Sequence, residues 1–369
     1  MTNIPFLKPN LVRLESYQEY LIDMEKSRLY SNYGPLNTKF EERVARDNFD
    51  GIGAVTTVQN ATLGLMLAIK AIHRPQGKYA VMPSFTFAAT PLAAMWCGLI
   101  PYFVDVDPFT WCSHQEQLES VLNELGDDVA VVVPYSTFGT NLELSWYSAL
   151  HESGIPVVLD AAASFGSSVN GDQQGKGFPG IVVYSFHATK SFAVGEGGLL
   201  YSASLETIVN IRQAANFGFG AARASEMQGF NAKVSEFTAA VALATLDVFP
   251  EKILTRQRIY HEYIEHMNHR GLFERGWQVQ ENKGTVAHQF FPILCPSERI
   301  NLEFVKQLEN AGIQARTYFA PACHQQPQFS SCPHTSLVIT EDLTRRSLSL
   351  PLWDEIQVAD VHRVVEALM

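Results

Sequence analysis

Hydrophobic and polar positions along the chain change period several times, and each change marks an element. Between about residues 10 and 50, Tyr17, Tyr20, Leu21 and Met24 recur at helical spacing, and the turn Asn32-Tyr33-Gly34-Pro35 interrupts the pattern. Asn60 stands where a helix cap belongs, ahead of an apolar face of Leu65, Ile69 and Ile72, spaced four and then three residues apart. Short runs without alternation come next, at Tyr79–Met82, Tyr102–Val104, Val129–Val133, Val157–Leu159, Ile181–Ser185 and Gly198–Tyr201. A strand that is apolar at nearly every position is buried on both faces, as beneath two layers of helices. Helix-like stretches lie between several of them, at Pro91–Cys97 and Trp146–Ser153. This alternation predicts an α/β fold, a three-layer sandwich with a mostly parallel central sheet.

Near Asp247-Val248-Phe249-Pro250 the pattern changes again. The remainder mixes basic and apolar helices with strands such as His288–Leu294. A large domain of residues 1–248 and a smaller C-terminal α/β domain of residues 249–369 are therefore expected. A chain of 369 residues also exceeds what one core usually supports.

Composition narrows the function. With 46% apolar and 18% charged residues the chain is an ordinary folded protein, and its net charge of −11 argues against nucleic acid as a partner. An anionic substrate would need a local basic pocket. The most apolar region, Tyr79–Val106, is broken by Pro83, Pro91, Pro101 and Asp105, so no membrane span is expected. The segment Met1–Asn10 holds two prolines and no long apolar core, and does not read as a signal peptide. Five scattered cysteines suggest free thiols and a cytoplasmic setting. Cys323-His324 and Cys332-Pro333-His334 lack zinc-site spacing, so no metal is expected. Gly218-Phe219-Gly220 follows no strand and is not read as a nucleotide loop.

The chemistry concentrates in Ser185-Phe186-His187-Ala188-Thr189-Lys190, closed by Gly195-Glu196-Gly197-Gly198. Lys190 stands at the mouth of a buried strand, where desolvation lowers an amine's pKa and makes it a nucleophile toward carbonyls. The run Pro156–Leu159 delivers Asp160 to the end of another strand. A lysine and an aspartate at two strand ends suit pyridoxal phosphate: one joins the cofactor's aldehyde, the other keeps its pyridine nitrogen protonated. Each alone has a plainer reading, a solvated lysine or a turn-forming aspartate. A phosphate also needs a helix N-terminus, and Asn60-Ala61-Thr62 offers backbone N–H groups and a hydroxyl there.

Ser185–Gly198 closely resembles the cofactor-lysine segment of the DegT/DnrJ/StrS family of sugar aminotransferases. The resemblance runs through Asn32–Pro35 with Phe40-Glu41, Asn60–Thr62, Thr86-Phe87-Ala88-Ala89-Thr90 and Asp160-Ala161-Ala162. It continues through Gly229-Phe230-Asn231-Ala232-Lys233 with Glu236, Tyr318 with His324-Gln325-Gln326-Pro327, and Ser349-Leu350-Pro351-Leu352. It implies the fold-type-I architecture of pyridoxal-phosphate enzymes.

It also implies roles. Lys190 would be the catalytic lysine, joined to the cofactor and then moving the substrate proton. Asp160 would meet the pyridine nitrogen, and Phe87 would stack on the ring. Asn60, Ala61, Thr62 and Ser185 would hold the phosphate, although the family usually shows a Ser-Gly-Thr type sequence at the first three. Asn231 would reach the cofactor phosphate of a second subunit, making a homodimer with shared active sites. Tyr33, Arg316, Tyr318 and His324 are candidates for the substrate. One departure stands out: Ala163 occupies a position where the family commonly has Gln or His. The expected reaction moves an amino group from L-glutamate to a nucleotide-linked keto-6-deoxysugar, for a surface polysaccharide such as an O-antigen or for a secondary metabolite. A dehydratase or isomerase on this fold is disfavoured, because a histidine replaces the lysine in the dehydratase branch. A non-catalytic cofactor-binding regulator is disfavoured by the retention of both Lys190 and Asp160.

Overall fold

The computed structural model describes residues 3–369. Seven strands form the central layer. They are β1 (Ala54–Val58), β2 (Tyr79–Pro83), β3 (Ile100–Val104), β4 (Val129–Val132), β5 (Val158–Asp160), and then, after the small hairpin β6 (Ser168–Val169) and β7 (Asp172–Gln173), β8 (Ile181–Ser185) and β9 (Gly198–Ser202). Strands β3, β2 and β4 pair in parallel, as do β5 and β8, while β9 runs antiparallel between β8 and β1. The two groups join where the Val132 N–H bonds the Pro156 carbonyl and the Asp160 N–H bonds the Pro134 carbonyl, each at 2.9 Å. The order is therefore β3-β2-β4-β5-β8-β9-β1 with β9 alone reversed, so the expectation of a mostly parallel sheet holds.

The continuous apolar runs are sorted by the pleat. Val182, Tyr184, Leu199 and Tyr201 point into one core with the helices Pro35–Phe49 and Glu236–His269. Ile181, Val183 and Leu200 point into the other, with the helices Ala61–Ile72 and Leu205–Ala214. Side chains alternate in direction along a strand while hydrophobicity does not, which is the signature of a sheet covered on both sides.

The smaller lobe packs Phe291, Ile293, Leu348 and Leu350 against Tyr263, Met267, Val364 and Val365. Its sheet is antiparallel, β10 (Gln278–Val279) to β11 (Phe291–Leu294) to β12 (Ser347–Leu350). Pro250, where the sequence pattern changes, lies inside the 34-residue helix Glu236–His269. A proline in a helix interior costs about 3 kcal/mol. Here Leu243, Leu246 and Phe249 are buried in the large core, and Ile259, Tyr263 and Met267 in the small one, which holds the helix together across it. We propose that the lobes divide at this crossing, inside one continuous helix.

Several motif residues turn out to be scaffold. The buried Glu236 carboxylate accepts the Leu36 and Asn37 N–H groups at 2.7 and 3.0 Å, capping the helix Pro35–Phe49. Gly34 permits this, since a Cβ there would lie 2.6 Å from the Glu236 carboxyl carbon. Glu41 accepts the Thr57 N–H at 2.8 Å and pairs with Arg212.

Candidate active site

A cavity of about 660 Å³ opens at the C-terminal ends of β5 and β8. Asp160 ends β5 and is buried, with only 3% of the residue exposed. Its two oxygens accept from the Thr90 hydroxyl at 2.6 Å and the Ala162 N–H at 3.1 Å. Burial pushes the carboxyl above the usual carboxylate range, while Thr90, Ala162 and the positive charge of Lys190 oppose that push. A buried carboxylate with this balance favours a cation against it.

Lys190 follows β8 in a tight turn closed by its own N–H on the His187 carbonyl at 2.8 Å. Burial lowers its amine to about 8, against an opposing pull from Asp160. An amine with that pKa is still mostly protonated near physiological pH, but its neutral, nucleophilic fraction is far larger than that of an ordinary lysine. Its Nζ donates to Gln289 Oε1 at 3.2 Å.

Opposite them begins the helix Ala61–Ile72. The Asn60 side chain accepts the Leu63 N–H at 2.9 Å, so Asn60 acts as the cap. The Ala61 and Thr62 N–H groups have no acceptor among the described residues and face the cavity, as does Ser185. Gly198 leaves the room: a Cβ there would lie 3.0 Å from the Ala61 nitrogen and 2.9 Å from the Tyr184 carbonyl. Phe87 is 58% exposed on the cavity wall, an apolar ring face open to a flat partner. Tyr135, Phe138, Phe290, Tyr318 and Phe319 complete an aromatic rim.

The cavity thus gathers Asn60, Ala61, Thr62, Phe87, Asp160, Ser185, Lys190 and Tyr318. The other candidates lie elsewhere. Tyr33 sits beneath the Arg212 guanidinium, 3.7 Å from its ring centroid, and burial raises its hydroxyl to about 12. The Arg316 guanidinium lies over Phe6 and bonds the Ala315 carbonyl at 3.0 Å. His324 is held by Ser84 at 2.7 Å and lies near Glu341. Asn231 is exposed in a second depression of about 250 Å³, which shares only Glu196 with the cavity. Ala163 is buried, and the neighbouring Ser164 hydroxyl has no partner among the described residues. Neither lines the cavity.

Sequence reading missed two residues that touch the central pair. Thr90 belongs to the Thr86–Thr90 motif, which was the available signal; it sits in the first turn of the helix Ala89–Trp96, and its hydroxyl lies 3.0 Å from that of Thr86 in the bend before it. Gln289 carries no local signal, because it meets Lys190 across 99 residues of chain.

A buried lysine of lowered pKa, a buried carboxylate, free amides at a helix start and an open aromatic face together define a pyridoxal-phosphate enzyme of fold type I. When bound, pyridoxal phosphate supplies an electron sink that lets the bond to a substrate's α-hydrogen break. Asp160 would face its pyridine nitrogen, Ala61, Thr62 and Ser185 its phosphate, and Lys190 its aldehyde. The chain belongs to the DegT/DnrJ/EryC1/StrS aminotransferase family, whose family model matches residues 13–369.

Its relatives agree with this. It is 45% identical to a Bacillus cereus ATCC 10987 protein of known structure with a provisional assignment as a PLP-dependent aminotransferase, with a TM-score of 0.98 over 100% of both chains. It is 33% identical to DesI, solved in the presence of its TDP-sugar product, with a TM-score of 0.89 over 100% of this chain and 92% of DesI. It is also 26% identical to the Escherichia coli dTDP-4-amino-4,6-dideoxy-D-glucose transaminase over 99% of this chain and 98% of that protein. Among the described residues, no helix is long and apolar enough to cross a membrane.

Proposed function

We propose that the protein moves an amino group from L-glutamate to a nucleoside-diphosphate-linked keto-6-deoxysugar, at sugar carbon 3 or carbon 4. The observation that carries the reading is the convergence of Lys190, Asp160 and the free Ala61–Thr62 amides on one cavity. The names of DesI and of the Escherichia coli transaminase support a nucleotide-linked sugar as the acceptor.

The protein's own groups divide the work. Asp160, held in line by Thr90 and Ala162, would balance positive charge on the cofactor's ring nitrogen. With pyridoxal phosphate held there, the Lys190 amine, freed by the incoming amino group, would take the substrate's α-proton and deliver it to the cofactor's former aldehyde carbon. The aromatic rim keeps water from the exchanging groups. Among the described residues Lys190 is the only Lys or Arg lining the cavity, so anionic substrates need cations from beyond it. A second copy of the chain is the source we favour, with Asn231 serving the partner's site because it lies outside its own. Products of this kind feed surface polysaccharides such as O-antigens or secondary metabolites, and a cytoplasmic setting suits nucleotide-linked substrates.

The test is spectroscopic. The absorbance band of the lysine-bound cofactor should bleach on adding glutamate and return on adding a TDP-linked 4-keto-6-deoxysugar or its 3-keto isomer. A band unmoved by glutamate and by other amino acids would refute transamination.

A further inference from the structure

We propose that Gln289 is a positioning residue: from the smaller lobe it holds the Lys190 amine, and it is itself oriented by a hydrogen-bond chain through Thr189 to His187. The proposal rests on the aminotransferase reading above.

The direction of the chain follows from groups that have no choice. The Thr189 backbone N–H can only donate, and it faces His187 Nδ1 at 3.3 Å. Nδ1 is therefore an acceptor, and the neutral ring carries its hydrogen on Nε2, which faces the Glu196 carboxylate at 3.6 Å. The Thr189 hydroxyl lies 2.9 Å from the same Nδ1 and donates there. Its lone pairs are left to accept from Gln289 Nε2 at 3.2 Å. The amide is then oriented, with Oε1 toward Lys190 Nζ at 3.2 Å. The reverse orientation would set an N–H₂ against a protonated lysine, donor to donor.

Gln289 is only 9% exposed, and both ends of its amide are spent on the Lys190 turn. Among the described residues it is the only side chain hydrogen-bonded to Nζ. An acceptor at one fixed point takes one amine hydrogen and stops the amine rotating freely. The lone pair that must accept the substrate proton is thereby aimed. The amide does this without adding charge. A carboxylate in its place would stabilise the ammonium and spoil the base. The other ionisable groups around the amine are Asp160 from β5, His187 and Glu196 from its own loop, and Tyr135 and Tyr318 on the rim.

The experiment compares holoenzyme carrying Gln289→Glu and Gln289→Leu with the parent protein. In Gln289→Glu, the pH midpoint of the lysine-bound cofactor's absorbance change should rise by about one pH unit or more, as a new anion beside the nitrogen requires. In Gln289→Leu, that midpoint should not rise, and the single-turnover rate with glutamate should fall about ten- to a hundredfold with little change in the apparent KM. Gln289→Asn, shorter but polar, should fall between them. If Gln289→Leu does not fold, the Gln289→Glu midpoint decides alone. An unchanged midpoint in Gln289→Glu, or a Gln289→Leu rate equal to the parent's, overturns the proposal. A parent band that never responds to an amino donor defeats the aminotransferase reading instead.

Discussion

Replacing Lys190 with methionine should make the cofactor-free protein more stable at neutral pH, because the fold holds this amine at a cost. Methionine matches the length of the lysine stem and carries no charge to desolvate. Burial lowers the amine from 10.5 to about 8. At about 1.4 kcal/mol per pH unit, the folded state penalises the ammonium by up to about 3 kcal/mol. The pull of Asp160 is already contained in that shift, and the lost bond to Gln289 offsets about 1 kcal/mol, leaving about 2 kcal/mol at pH 7. The sign follows from proton binding. Between pH 8 and 10.5 the unfolded chain binds this proton and the folded chain does not, so the parent gains stability as pH rises through that window. Below pH 8 both states are protonated and the full cost is present. The variant's advantage should therefore be greatest at pH 7 and largely gone by pH 10.5. Urea unfolding of both proteins at pH 7 and pH 10, in phosphate-free buffer, measures it. A difference between the two proteins that is the same at both pH values would refute a buried, destabilised amine.

Other outcomes follow from the same geometry. Lys190→Ala should bind pyridoxal phosphate without a covalent link and lose turnover by several orders of magnitude, read by steady-state assay and by reduction with borohydride. Asp160→Asn should slow bleaching by glutamate far more than it weakens cofactor binding, and equal effects on both would leave Asp160 a structural residue. Thr90→Val removes the 2.6 Å donor from Asp160 and should slow the same half-reaction about tenfold, with Thr90→Ser retaining most of the rate. Gly198→Val should weaken cofactor affinity by fluorescence titration, since even a Cβ meets the Ala61 nitrogen at 3.0 Å and pushes on the phosphate cradle.

Much of the fold was legible because its strands are buried on both faces. Runs such as Ile181–Ser185 need no tertiary information to be recognised as interior, and their alternation with helices led to the parallel sheet. The passage through Pro250 was not legible. A proline reads as a terminator in sequence, and only contacts on either side of it, from Phe249 in one core and Ile259 in the other, carry the helix through. Asp160 and Lys190 were legible as strand-end residues with matching chemistry. Tyr33, Arg316 and His324 lie outside the α-helices and named strands, where one residue of register or one turn of backbone decides which way a side chain faces. The structure brings only Tyr318 of that group to the cavity.

By itself, the sequence determined which residues are apolar, which strands are interior, where a helix begins with free amides, and which two residues have the acid–base character this cofactor needs. Those properties are local, set by composition and spacing. The tertiary structure decided what each charged or polar group meets. Asp160 is raised by burial and steadied by Thr90 from 70 residues away. Lys190 is lowered by burial and held by Gln289 from the other lobe. Desolvation and hydrogen-bond partners are properties of the folded surroundings, and a distance along the chain of 99 residues carries no trace of a 3.2 Å contact.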